Sequence, residues 1–178
     1  ALALPQTRVV SDEEVRRVHQ SALLIDTHND VTSFTVRGLD LGVRQSRFEG
    51  KPLHTDIPRL REGNIGAVFF AAYVSAENAR NGTAARRALE MIDTIRRDIV
   101  ERHPQHFRLA LTAGEIVAAR RDGKIAALIG IEGGHAIEDS PSLLRTFYGL
   151  GVRYMTLTHS NHNHWADSSG TAGAPNKG

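Results

Sequence analysis

Short apolar runs recur along the chain, and the segments between them carry apolar residues at every third or fourth position. Runs with few polar positions are typical of strands that are buried on both faces of a parallel sheet. Apolar residues at helical spacing indicate amphipathic helices. The pattern therefore predicts strands at 23–26, 67–74, 107–111, 124–131 and 152–158.

Capping and helix-breaking residues mark the helix boundaries. Ser11 is followed three residues later by Glu14, which is the capping-box pattern. Thr83 occupies the N-cap position of a long central helix, and Pro104 ends that helix. Ser140 precedes a proline at the first helical position. The predicted helices are 11–22, 56–62, 83–103, 113–122 and 140–150.

The alternation of strands and helices predicts an α/β protein whose parallel sheet is covered by helices. No repeat or linker divides residues 1–178, and residues 168–178 have the composition of a loop tail. A closed (β/α)8 TIM-like barrel needs eight strands and about 250 residues. We therefore expect residues 1–178 to be the N-terminal half of one catalytic barrel domain.

Composition narrows the chemistry that is available to the chain. Apolar residues make up 40% and charged residues 24%, which is ordinary for a soluble globular protein. The net charge is +2, and Arg86 and Arg87 lie among acidic residues, so no nucleic-acid-binding surface is indicated. The chain has no cysteine, so His, Asp and Glu would have to bind any metal.

The sequence leaves the cellular location open. No apolar run approaches the ~20 residues of a membrane span. Ala1, Leu2 and Ala3 resemble the small-residue end of a signal-peptide cleavage site, although a ragged terminus would look the same. The alternatives are a periplasmic or exported protein and a cytoplasmic protein of a bacterium.

Candidate functional residues follow three of the predicted strands. His28 and Asp30 follow the first strand, Glu132 follows the fourth, and His159 follows the fifth. The carboxyl ends of barrel strands form the catalytic face, so these four side chains should meet there.

His28 and Asp30 are two residues apart, and side chains at this spacing point the same way in extended backbone. A neutral imidazole and a carboxylate suit zinc and related divalent ions. A His-x-Asp pair also occurs by chance, and the position after a buried strand is what favours a metal site.

Glu132 ends a buried apolar strand, where a carboxylate is costly unless it is paired or bound to metal. Its two oxygens could bridge two ions, and the alternative is a capping or salt-bridged glutamate beside a turn. His135 follows Gly133 and Gly134 and could help to orient Glu132.

Several further residues are open to more than one interpretation. His159, His162 and His164 lie close together along the chain and could form a metal cluster. For His162 and His164 a polar loop that lines a pocket is favoured, whereas His159 is the stronger functional candidate. Tyr73 could face the pocket, but core packing is favoured. Surface, capping or structural roles are expected for the remaining histidines: His19, His54, His103 and His106.

Several segments resemble the signatures of the membrane (renal) dipeptidases, peptidase family M19. Residues 24–30 read LIDTHND and residues 130–135 read GIEGGH, similar to the family patterns DGHND and GVEGGH. Residues 144–160 read LRTFYGLGVRYMTLTHS, which looks like the family segment LRxxYxLGxRYxTLTH. Residues 54–60 and 165–167 also match family segments, and the resemblance runs from about Asp12 onward.

The resemblance implies a metal-dependent hydrolase barrel with two zinc ions. By this resemblance His28 and Asp30 bind one zinc ion, and Glu132 bridges both. His159 matches the family histidine that contacts the substrate carbonyl and the tetrahedral intermediate. Two histidines for the second zinc, and an arginine and an aspartate for the substrate, would come from the second half of the barrel.

The sequence departs from the mammalian pattern of the family in two places. Thr27 stands where the family has glycine, and Asn-His-Asn-His at 161–164 replaces Cys-Asn-Thr-Pro. The second change would line the mouth of the pocket, so it puts the substrate preference in doubt.

The expected function is a zinc-dependent dipeptidase in which a hydroxide shared by two zinc ions attacks the peptide carbonyl. One alternative is another binuclear metal amidohydrolase acting on acyl-amino acids, lactams or a secondary-metabolite precursor. A second alternative is a barrel that binds a ligand without turnover. The expected partners are a dipeptide and the second half of the barrel, in the same polypeptide or a second chain. A homodimer is left open.

Overall fold

The computed structural model describes residues 9–173 and 175–176, so the candidate cleavage site at Ala1, Leu2 and Ala3 lies outside the described residues. None of the described helices is both long enough and apolar enough to cross a membrane. The helices are α1 (Asp12–Ser21), α2 (Thr32–Thr35), α3 (Ile57–Glu62), α4 (Ala76–Arg80), α5 (Ala84–Thr94), α6 (Ala113–Arg121) and α7 (Pro141–Gly149), with a π-helix at Ile95–Glu101 and a 3-10 helix at Gly134–Ile137. The strands are β1 (Leu24–Asn29), β2 (Arg47–Phe48), β3 (Lys51–Pro52), β4 (Ile65–Tyr73), β5 (Phe107–Leu109), β6 (Ile125–Glu132) and β7 (Val152–Met155).

Four strands form a continuous parallel sheet in the order β1, β4, β6 and β7. The fifth strand, β5, shares the edge of β6 that β7 also uses. Phe107 of β5 pairs with Ile125 near the start of β6, whereas Val152 of β7 pairs with Ile129 nearer its end. The predicted α/β class with a parallel sheet is confirmed, and β5 is an accessory strand outside the main run.

The outer face of β4 and β6 packs against the long central helix. Alternate residues of β4, such as Phe70 and Val74, are fully buried among apolar side chains of α5 and the π-helix. Ile95 and Ile99 are also fully buried, as their helical spacing predicts. The helix begins after Thr83 as predicted, but the Thr83 hydroxyl donates to the Asn78 carbonyl oxygen instead of capping the helix.

The inner face of the same strands meets α6 near the amino ends of β4 and β6. Ala67 and Ala126 pack there with Ala119 and the half-buried Ile116 of α6. Small side chains let a helix approach a sheet closely, so this end of the inner face is filled by α6. The capping box of α6, formed by Thr112 and Glu115, fixes where that helix begins.

Several predicted boundaries and roles were wrong. The first strand continues to Asn29, the fourth includes Glu132, and the last ends at Met155, short of the predicted residue 158. His103 was expected to be a surface or capping residue, but it is 7% exposed, with Nε2 3.0 Å from Asp40 Oδ1. The sequence also missed α2, α4 and the β2–β3 hairpin, whose few residues are too short to show a clear period.

Candidate metal centre

The end of β1 is shaped by the carboxylate of Asp26. Its Oδ1 accepts from the backbone N–H of His28 at 3.1 Å, and its Oδ2 accepts from Asn29 Nδ2 at 2.7 Å. The pairing of β1 with β4 shifts register between Asp26 and Asn29. A register shift re-aims the side chains that follow it. Asn29 turns toward Thr55, to which it donates at 3.1 Å, while His28 faces the end of β6.

Three of the predicted site residues come together at the carboxyl ends of β1 and β6. His28 Nε2 lies 3.2 Å from Asp30 Oδ1 and 3.4 Å from Glu132 Oε2. One ligand atom from each residue lies within 4.8 Å of the others. Among the described residues, no other group of three His, Asp or Glu side chains converges in this way. One imidazole and two carboxylates are a donor set that fits a divalent ion such as zinc.

His159 approaches the same glutamate from the other side. Its Nε2 lies 3.3 Å from Glu132 Oε1, so the two carboxylate oxygens of Glu132 face two different imidazoles. The rings of Tyr73 and His159 pack in a T-shaped arrangement with 5.1 Å between the ring centroids. Tyr73 therefore lies beside the site, contrary to the core packing favoured from its sequence position.

The other two histidines of the loop are engaged elsewhere. The Ser168 backbone N–H donates to His162 Nδ1 at 2.9 Å, and His164 pairs with Asp139. Both line a surface cleft with Asn161, and neither belongs to the group around Glu132. His162 and His164 therefore belong to a polar loop that lines this cleft, which is the interpretation that was favoured for them, whereas His159 faces Glu132.

His135 has a backbone contact in place of the expected contact with Glu132. Its ring is 6% exposed, and its Nε2 donates to the Val74 carbonyl oxygen at 2.8 Å. The Val74 backbone N–H in turn donates to the Glu132 carbonyl oxygen at 3.0 Å. His135 therefore supports the backbone at the ends of β4 and β6, not the carboxylate itself.

Tyr154 was missed by the reasoning from sequence, although it touches the centre directly. Its hydroxyl lies 2.8 Å from His28 Nδ1, and its ring packs against Phe69. Burial, followed by the negative charges of Glu132, Asp30 and Asp26, raises the pKa of Tyr154 to about 12. The hydroxyl is therefore uncharged at neutral pH.

A signal for Tyr154 does exist in the sequence. Gly130 interrupts the apolar run of β6, and glycine inside a strand often marks a close approach by another group. Gly130 pairs with Tyr154 in the β6–β7 register, and a Cβ at Gly130 would overlap the Tyr154 ring.

A cleft of about 250 Å³ opens beside the donor group. His28 and Asp30 line one side, and Phe34 and Leu53 contribute apolar surface. His54 also lines this cleft. The cleft gives a molecule with both polar and apolar parts a place beside the ligands.

The chain matches the model of a known protein family. The family model described as membrane dipeptidase, peptidase family M19, matches residues 12–177. The chain belongs to the membrane dipeptidase family. Because M19 proteins are metallopeptidases, membership implies a divalent metal, and the donor set of His28, Asp30 and Glu132 fits one.

Relatives that are named as dipeptidases agree with this placement. The chain is 39% identical over 165 residues to the dipeptidase verJ of Clonostachys rogersoniana, with 84% of this chain and 41% of verJ covered. It is 42% identical over 155 residues to the dipeptidase ataJ of Aspergillus terreus, with 82% and 37% covered. The chain thus spans about two fifths of the length of these relatives.

A solved structure of the family has the same fold. The crystal structure of the dipeptidase AC, a metallopeptidase of family M19, superposes with a TM-score of 0.61 at 25% sequence identity. The match covers 83% of this chain and 44% of that one. The barrel-type arrangement predicted for the strands is therefore that of an M19 dipeptidase.

Proposed function

We propose that the complete protein is a zinc-dependent dipeptidase and that this chain supplies the first part of its active site. The observation that carries the proposal is the meeting of His28, Asp30 and Glu132, with His159 on the opposite oxygen of Glu132. The dipeptidase names of verJ and ataJ support the substrate class. Strand-end ligands from separate strands are also the usual arrangement of catalytic groups in barrel enzymes.

We propose that two zinc ions bind here. His28, Asp30 and Glu132 would hold one of them, and the second oxygen of Glu132 would be available to the other. Such ions polarise a carbonyl group and make water a strong nucleophile near neutral pH. A zinc site generally needs at least three protein ligands, so the second ion would require donors from outside this chain.

We assign His159 a role toward the substrate, outside the ligand set. Its Nδ1 lies 3.2 Å from the Ser160 hydroxyl, which can donate to it. The ring proton would then be on Nε2, the nitrogen that points into the site beside Glu132. From there it can donate to an oxyanion that develops on the substrate carbonyl. The T-shaped contact with the Tyr73 ring supports the His159 ring in this direction.

A substrate panel with metal control tests the proposed activity. The complete protein is assayed against dipeptides, N-acyl amino acids and lactams, before and after treatment with a chelator. We expect dipeptide hydrolysis that the chelator abolishes and added zinc restores. Hydrolysis of acyl-amino acids or lactams alone would indicate a different amidohydrolase, and bound zinc without turnover would indicate a binding protein.

We also propose that the rest of the barrel pairs with the two strand edges that this part of the sheet leaves unpaired. The outer edges of β1 and β7 carry no partner strand among the described residues. Open parallel edges pair readily with other chains. Residues 1–178 expressed alone should therefore unfold without a cooperative transition and should not hydrolyse dipeptides. A cooperative, monomeric and active fragment would contradict this proposal.

A further inference from the structure

The two ring nitrogens of His28 face different partners. Nε2 faces the carboxylates of Asp30 and Glu132, whereas Nδ1 lies 2.8 Å from the Tyr154 hydroxyl oxygen. A histidine binds metal through the lone pair of one nitrogen, and the other nitrogen then carries the proton. With the metal-facing role assigned to Nε2, the proton lies on Nδ1, and the Tyr154 oxygen is the group placed to accept it.

We propose that Tyr154 is a positioning residue that holds His28 in the tautomer and ring orientation needed to bind metal through Nε2. The proposal rests on the metal centre of the proposed function, but it concerns a contact made entirely within this chain. It adds to the three ligands a fourth residue that acts through one of them.

The backbone arrangement explains how Tyr154 reaches His28. The two residues lie on β7 and β1, with β6 and β4 between them in the sheet. The Tyr154 ring crosses this distance by lying over Gly130, where any Cβ would be closer than 3.0 Å to the ring. Phe69 of β4 supports the ring with 5.1 Å between the centroids. Gly130 therefore provides the space, and Phe69 provides the support, for the hydroxyl to meet His28.

Packing accounts for the ring of Tyr154 but does not account for its hydroxyl group. A phenylalanine ring would fill the same space over Gly130 and pack equally well on Phe69. The hydroxyl adds a polar atom to a half-buried position, and its contact with His28 Nδ1 compensates for that. Residues that orient a metal-binding histidine in this way typically change metal affinity by about 10–100-fold when removed.

Zinc titration of the complete, metal-stripped protein tests the proposal. Tyr154→Phe should weaken the affinity for zinc at the His28 site by about 10–100-fold. Tyr148→Phe is the matched control, because Tyr148 is 64% exposed on α7 and lies away from the donor group. It loses the same hydroxyl, and its zinc affinity should equal that of the wild type.

Two further measurements separate positioning from a general effect on folding. Nitrogen NMR of the zinc-loaded wild type should show the His28 proton on Nδ1, with a hydrogen-bonded shift that Tyr154→Phe loses. Gly130→Ala should also weaken zinc binding, because its Cβ displaces the ring. Combined with Tyr154→Phe it should add little, since the contact is already lost. Thermal unfolding of each metal-free variant reports folding separately.

The outcomes are distinguishable. If Tyr154→Phe binds zinc as tightly as the wild type, or if Tyr148→Phe loses as much affinity, the proposal is wrong. A wild-type protein that binds no zinc would overturn the metal centre and the role of Tyr154 with it. Zinc binding without dipeptide hydrolysis would overturn the proposed activity alone, and the Tyr154→Phe titration would still decide the role of Tyr154.

Discussion

The two faces of the central sheet place different requirements on the side chains that form them. On the outer face, residues such as Phe70 and Ile129 are fully buried against helices, and any apolar side chain of suitable volume would serve. On the inner face, Gly130, Tyr154 and Glu132 each meet a particular partner on another strand. The outer face therefore depends on volume and hydrophobicity, and the inner face depends on the identity of single atoms.

This difference predicts that substitutions on the two faces will separate stability from function. Outer-face substitutions should lower the free energy of unfolding and leave metal binding intact in the folded molecules. Substitutions at the carboxyl end of the inner face should do the reverse.

The largest expected effect is that of Glu132→Ala in the complete protein. Both imidazoles of the centre lose their shared carboxylate, so at least one metal ion should be lost and hydrolysis with it. Elemental analysis after dialysis measures the metal content. Glu77→Ala is a suitable control, because Glu77 is exposed and lies outside the donor group. Metal content that Glu132→Ala leaves unchanged would show that Glu132 is not a ligand.

Phe70→Ala tests the outer face. Phe70 is fully buried and packs its ring against Phe107, so its truncation should lower the free energy of unfolding by about 3–5 kcal/mol. Chemical denaturation measures this loss. Zinc affinity of the folded fraction should stay at the wild-type value, and a large fall in affinity would mean that the two faces are not independent.

His159→Ala should reduce turnover and leave the metal content unchanged. Loss of one oxyanion donor typically lowers turnover by about 10²–10³-fold. Steady-state kinetics together with elemental analysis provide the test. A variant that loses metal would instead make His159 a ligand, and the assignment of His159 to the substrate would be wrong.

Asp56→Ala should have the smallest effect on stability and function, because this buried carboxylate is paired with Arg59 and lies outside the donor group. It caps α3 and accepts hydrogen bonds from the backbone and side chain of Arg59. Burial opposes ionisation, but these hydrogen bonds outweigh it and lower the pKa of Asp56. Loss of such a cap costs about 0.5–2 kcal/mol, with no change in metal content.

The lowered pKa sets the pH range of this effect. The contribution of Asp56 is fully present above the unfolded-state pKa of about 3.9, and it is lost as the pH falls through the lower folded-state value. The difference in unfolding free energy between wild type and Asp56→Ala should therefore be constant near pH 7 and shrink below pH ~4. A difference that grows on acidification would contradict this assignment.

The comparison of faces also explains what could be predicted from the sequence. The buried runs of β4 and β6, the caps at Ser11 and Ser140 and the strand-end positions of His28 and Glu132 depend on local pattern, and each was located correctly. Apolar periodicity and capping act over a few residues, so a single sequence carries them.

Other features depend on contacts between distant residues. In the sequence, Tyr73 looks like a core residue of an apolar strand. Only its contact with His159 shows that it lies beside the site. The role of Tyr154 depends on a glycine on one strand and a histidine on another. The early end of β7 could not be read either, because the apolar and β-branched residues at 156–158 resemble a strand. Partners of this kind become visible only when the strands are paired.

The separation of β1 and β6 by β4 has a consequence for the order of folding. Leu24 pairs with Ile65, and Ala67 pairs with Ala126. Each pairing must therefore close a long loop, at a cost in chain entropy, before the contacts between the two strands can form. Parallel pairings between distant segments are intrinsically slow to form. His28 and Glu132 can meet only after both pairings exist. The three metal-ligand candidates are therefore brought together late in folding. The time at which tight metal binding appears during refolding would show when the sheet is complete.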